Sequence, residues 1–104
     1  MAFSKVIATQ DLWNGEMQGH RVGGRPVLLL KLDDRVYAYE DRCAHLGVPL
    51  SQGTLQDGVI TCAAHHYSYD ARTGRGVNPR NTALRALTTS VREAVIMVDV
   101  EGAE

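Results

Sequence analysis

The sequence predicts an all-β fold built from short antiparallel strands. Its aliphatic, β-branched and aromatic residues fall in short runs, and turn residues separate those runs at close intervals. No segment sustains a helical pattern. Leu84 to Glu93 has helical propensity through Ala and Leu, yet Thr88-Thr89-Ser90-Val91 pulls it toward strand.

Taken in order, Val6-Ile7-Ala8 opens the strands, and Asp11 to Glu16 reads as a turn. His20-Arg21-Val22 ends at Gly23-Gly24, most simply a turn. Pro26 to Leu32 and Val36 to Tyr39 form a hairpin across Asp33-Asp34-Arg35. Gly58 to Cys62 is a short strand opened by the turn pair Asp57-Gly58, and Tyr67 to Asp70 runs into a turn at Thr73-Gly74. Leu84 to Val91 and Val95 to Val100 make a second hairpin across Arg92-Glu93-Ala94. Val27 to Leu30 and Ala94 to Val98 suit buried strands and are far too short to cross a bilayer. Trp13 and Phe3 are expected to be core or edge-packing aromatics.

The 104 residues, 44% of them hydrophobic, suit one modest core, so residues 1–104 are expected to form a single domain. With 11 basic and 12 acidic residues, the net charge is −1 and no long run carries one sign. Nucleic acid and anionic membrane surfaces are therefore not expected partners. The N-terminus lacks a basic region followed by an apolar one, which predicts a cytoplasmic protein. In a reducing compartment, two cysteines favour metal ligation over a disulfide.

The chemistry concentrates in two pairs, Cys43-Ala44-His45 and Cys62-Ala63-Ala64-His65, separated by the sixteen residues from Leu46 to Thr61. Thiolate suits iron-sulfur clusters and zinc, and neutral imidazole suits iron and zinc, so ligand type alone leaves the metal open. Spacing argues further. Zinc fingers pair cysteine with cysteine and histidine with histidine, whereas this chain interleaves them. If each loop gives its Cys to one iron and its His to another, the four residues clamp a [2Fe-2S] centre in which two His replace two Cys on one iron. A Cys2His2 zinc-binding module remains the alternative, and visible absorption separates the two.

These residues, with Gly47 after the first pair and Tyr69-Asp70-Ala71-Arg72-Thr73-Gly74 after the second, resemble the Rieske iron-sulfur family. The resemblance implies stacked antiparallel sheets with two cluster-binding loops at one end, at about residues 43–50 and 62–69. It implies one [2Fe-2S] cluster, with Cys43 and Cys62 on the inner iron and His45 and His65 on the outer iron. Gly76-Val77-Asn78-Pro79 resembles the family's shielding proline loop, at about residues 76–79.

Asp11 to Met17, Gly58 to Cys62 and Gly74 to Pro79 further resemble the Rieske ferredoxins of bacterial toluene and o-xylene monooxygenase systems. That likeness implies a monomeric electron carrier and not an enzyme. Its partners would be an NADH-dependent flavin and iron-sulfur reductase and a di-iron hydroxylase acting on aromatic hydrocarbons. A Rieske ferredoxin of an aromatic-ring dioxygenase system is the alternative within the family. A Rieske domain or subunit of an enzyme is less well matched, because His20 is the only histidine outside the two ligand loops.

High-potential relatives carry an additional cysteine in each loop, and Val48 and Ala64 lie where these would be sought. Their absence points to the low-potential branch. A Tyr69 hydroxyl donating to a cysteine sulfur would raise the potential. Leu46, Val48, Pro49 and Tyr67 are expected to form an apolar collar around the electron exit. His66 is expected to be a solvated neighbour. Glu40 and Asp41 are expected to be solvated, and the alternative is that they steer a basic partner face.

Overall fold

The computed structural model describes residues 3–43, 48–64 and 66–103. In those segments the strands are β1 Ser4–Ala8, β2 Met17–Val22, β3 Arg25–Leu32, β4 Arg35–Glu40, β5 Thr54–Gln56, β6 Val59–Thr61, β7 Ser68–Asp70, β8 Gly76–Asn78, β9 Ala86–Arg92 and β10 Val95–Ala103. Two single 3-10 turns, Thr9–Asp11 and Leu50–Gln52, are the only helical segments among the described residues. No described helix is long and apolar enough to cross a membrane.

The strands form two antiparallel sheets, which is the all-β architecture expected. The larger has the order β1-β10-β9-β4-β3-β2, and the smaller has β5-β6-β7-β8. All four strands of the smaller sheet lie in sequence between β4 and β9, which are neighbours in the larger one. Both cysteines sit on this excursion, Cys43 after β4 and Cys62 after β6.

Hairpin geometry explains why the turns fall where they do. Gly23-Gly24, Asp33-Asp34, Asp57-Gly58 and Glu93-Ala94 all have positive φ at both positions. That is the backbone of a two-residue type I′ turn, whose twist matches the flanking strands. Asp33 and Asp34 reach φ of 51° and 65° at some backbone cost, since only the pairs containing glycine adopt this conformation freely.

The run Val27-Leu28-Leu29-Leu30 is buried throughout because alternate side chains of β3 enter two different cores. Leu28 and Leu30 join Tyr39, Leu50, Ile60, Tyr69 and both cysteines. Val27 and Leu29 join Leu12, Val22, Ala38, Leu87, Ile96 and Val98. The sheets are also tied by a buried hydrogen bond, in which the Tyr39 hydroxyl donates to the Ala71 carbonyl at 2.8 Å.

Several expectations change in detail. Trp13 does not pack: it is 73% exposed. Leu12 takes the buried place beside it, and the Trp13 backbone N–H donates to the Glu16 carboxylate at 3.0 Å. Thr54–Gln56 forms a strand that its polar sequence does not announce, paired through Leu55↔Ile60. Gly76–Asn78 is not loop but the edge strand β8, paired with β7.

Candidate metal centre

The first cysteine is placed by the end of β4. After Glu40, the Asp41 N–H donates to the Pro26 carbonyl at 3.1 Å and the chain turns inward, so that Cys43 is buried. The Cys43 N–H then donates to the Val48 carbonyl at 2.8 Å, closing the first loop. Residues 44–47, and with them His45 and Leu46, lie outside the described residues.

The second cysteine is placed by β6. Cys62 is fully buried, and its N–H donates to the Tyr67 carbonyl at 2.7 Å before β7 begins at Ser68. His65 lies outside the described residues. Each loop is thus closed by one device, a cysteine N–H bonded to a carbonyl five residues later. This likeness extends to Val48 and Ala64, half-buried side chains packed against the same core.

The two thiols are neighbours. Burial pushes the Cys62 thiol above its ordinary range, the Ala64 N–H pulls it back, and adjacent Cys43 raises it again. A buried thiolate therefore calls for a compensating positive charge, which bound iron supplies. Cys43 Sγ lies 3.3 Å from the Tyr69 hydroxyl, and both residues are buried. Two soft sulfur donors in an apolar pocket, with an N–H and a hydroxyl directed at them, fit an iron-sulfur group. Among the described residues, no set of three or more His, Cys, Asp and Glu side chains is arranged around a metal position.

Of the other residues singled out, His66 is exposed with φ of 54°. His20 is on β2, its ring bonded to the Gln18 side chain at 2.9 Å, and takes no part in the cysteine site. The expected collar is only partly a surface: Pro49 is exposed, whereas Val48 and Tyr67 pack inward against the cysteine core.

Asp41 is a correction. It is 6% exposed, not solvated, and its carboxylate accepts from the Ser51 N–H at 2.9 Å and the Ser51 hydroxyl at 2.7 Å. These bonds tie the residues before the first loop to the 3-10 turn after it. Gly19 on β2 completes the clasp, because a Cβ there would stand 2.6 Å from Ser51 Oγ and 2.8 Å from Asp41 Oδ2. Sequence reasoning missed this trio. No local pattern links positions 19, 41 and 51; they meet only when β2 and the loop are packed together.

Comparison with known proteins agrees with this geometry. The sequence matches the family described as the Rieske [2Fe-2S] domain over residues 2–89. It is 38% identical over 97 residues to the ferredoxin component of the alkene monooxygenase system of Xanthobacter autotrophicus, covering 92% of this chain and 80% of that protein. It is 32% identical over 103 residues to the ferredoxin component of biphenyl 2,3-dioxygenase of Rhodococcus jostii, covering 98% and 96%. The fold superposes with a TM-score of 0.87 on a chain of the complex of reduced oxygenase and oxidized ferredoxin in carbazole 1,9a-dioxygenase. The identity there is 31%, over 98% of this chain and 95% of that one.

Proposed function

The chain belongs to the Rieske [2Fe-2S] domain family and carries one [2Fe-2S] cluster, and on that premise we propose that Cys43, His45, Cys62 and His65 hold it. The observation that carries the proposal is the juxtaposition of two buried cysteines from loops closed in the same way. The interleaved order of Cys and His supports assigning the remaining two positions to His45 and His65. The protein is an electron carrier and not itself a catalyst.

The bound cluster supplies storage of a single electron. The chain's own residues set the terms of that storage. Tyr69 and the Ala64 N–H direct hydrogen-bond donors at the sulfurs, which favours the more negative, reduced state. Leu50, Ile60 and Leu84 pack around the cysteines and exclude water.

The reading favoured for the whole system is transfer from an NADH-dependent flavin and iron-sulfur reductase to the di-iron hydroxylase of a toluene or other aromatic monooxygenase. The likeness to a monooxygenase ferredoxin supports it. The likeness to a biphenyl dioxygenase ferredoxin supports the second reading, service to an aromatic-ring dioxygenase. A monomeric cytoplasmic shuttle suits either role.

An electron paramagnetic resonance spectrum of the dithionite-reduced protein tests the ligand set. A Rieske-type signal is expected, and replacing either His45 or His65 by Cys should convert or abolish it. A silent wild-type protein with bound zinc would overturn the assignment. NADH-dependent product formation, reconstituted with a di-iron hydroxylase or with a ring dioxygenase, decides between the two systems.

A further inference from the structure

The chain's net charge is only −1, and its charged side chains lie at both ends of the strands. β4 runs toward Cys43 and β6 runs toward Cys62, so the turns that open these strands, Asp33-Asp34 and Asp57-Gly58, lie at the far end. Arg72 joins the far ends of the two sheets through its 2.7 Å ion pair with Asp33. Antiparallel pairing of β9 with β4 sends the Glu93-Ala94 turn the same way. These turns face away from the cysteines, and their acidic residues have arginine neighbours, with Arg35 after Asp34, Arg92 before Glu93 and Arg72 paired with Asp33.

Several arginines gather at the cysteine end. A cavity of about 320 Å³ beside the first loop is lined by Arg25, Arg42 and Arg85, with Glu40 the acidic residue of its wall among the described side chains. Arg42 directly precedes Cys43, and the Arg85 carbonyl accepts the Glu40 N–H at 2.9 Å, which holds both arginines to the exit of β4. Arg80, exposed, lies just beyond the end of β8, where Asn78 pairs with Ser68 and Ser68 with Thr61 before Cys62. Two further carboxylates at this end, Asp41 and Asp99, are buried, and Asp41 is engaged by Ser51.

Glu40 stands between two guanidinium groups without saturating either. Its carboxylate lies 3.5 Å from Arg42 and 3.7 Å from Arg85, and both arginine side chains remain about half exposed, at 59% and 48%. Each guanidinium has five N–H donors in a planar fork suited to carboxylates. Both guanidinium groups are thus held beside Glu40 with room for a second carboxylate.

We infer that the protein presents a basic face at its cysteine end and docks there on an acidic face of its electron-transfer partner, with Arg42 and Arg85 receiving the partner's carboxylates. This rests on the electron-carrier reading above. It reverses the sequence expectation that Glu40 and Asp41 would steer a basic partner. Rim charges of this kind act on the rate of encounter and on its salt dependence more than on the lifetime of the complex.

The test uses one acceptor with two surface charges: cytochrome c, which is basic, and the same protein with its lysines succinylated, which is acidic. Reduced holoprotein is mixed with each by stopped flow over a range of ionic strength. The acidic form is expected to react faster at low salt and to lose that advantage as salt screens the charges. Combining Arg42→Gln with Arg85→Gln should lower the low-salt rate with the acidic acceptor about threefold or more and leave the high-salt rate unchanged. Arg42→Lys with Arg85→Lys should retain most of the rate, and Asp57→Asn at the far end should retain all of it. A faster reaction with the basic form at low salt, or a double Gln variant that behaves as wild type, overturns the inference. Spectra of each protein recorded beforehand keep the two readings separate, because a wild type without a Rieske-type signal overturns the carrier reading instead.

Discussion

The hydroxyl of Tyr69 lies 3.3 Å from the sulfur of Cys43, with both side chains buried. Tyr69 is held by β7 between β6 and β8, so its ring has little freedom to withdraw. On a metal-bound, deprotonated sulfur the hydroxyl is the donor, and its bond strengthens as the cluster gains an electron. Tyr69→Phe should therefore lower the midpoint potential. A net hydrogen bond of about 0.5–1.5 kcal/mol corresponds to roughly 20–60 mV for one electron. A redox titration followed by visible absorption or circular dichroism measures the shift, and an unchanged potential would show that the bond does not tune the cluster.

Asp41 should prove structural where its sequence suggests a surface charge. Removing its carboxylate in Asp41→Ala abolishes two hydrogen bonds to Ser51 and leaves the Ser51 N–H without this acceptor. A loss of about 2–3 kcal/mol is expected, with a smaller loss in Asp41→Asn. Thermal melting reads the stability. The rate at which visible absorption fades at fixed temperature reads the hold on the first loop, and it should rise in the Ala variant.

Removing the cluster should loosen the molecule unevenly. Both cysteines belong to the core that joins β3 and β4 to the small sheet, while the second core contains neither. Stripping the metal with a chelator under reducing conditions is expected to lower the melting temperature. Amide exchange should accelerate first in β5 to β8, with β9 and β10 retaining protection longer. Uniform loss of protection would mean that the two cores unfold as one.

The Glu93-Ala94 turn offers a gain. Ala94 holds φ of 61°, where glycine has no side-chain penalty. Ala94→Gly should stabilise the protein by about 0.5–1 kcal/mol after the added flexibility of the unfolded chain is counted. Chemical denaturation measures it. A lower midpoint would show that the hairpin does not carry this strain.

Much of this was legible in the sequence because the signals are local. The turn pairs Asp57-Gly58 and Gly23-Gly24 have a backbone preference that needs no tertiary partner. The continuous apolar run from Val27 to Leu30 likewise marks a strand buried on both faces. Gly76–Asn78 and Thr54–Gln56 were harder to read, since three-residue strands are defined by their neighbours' hydrogen bonds more than by their own residues. Trp13 misled because hydrophobicity favours burial without providing a place for it; Leu12 occupies that place.

By itself, the sequence determined the all-β class, the positions of most hairpins and a donor set whose chemistry suits an iron-sulfur cluster. Only the tertiary structure decided that Cys43 and Cys62, nineteen positions apart, become buried neighbours, and that Tyr69 supplies the hydroxyl beside Cys43. It also decided that Asp41 turns inward to Ser51 while Arg42 and Arg85 remain outside. The reason is the range of the forces involved. Turn and strand preferences act over a few residues, whereas burial and charge balance depend on which distant segments the two sheets bring into contact.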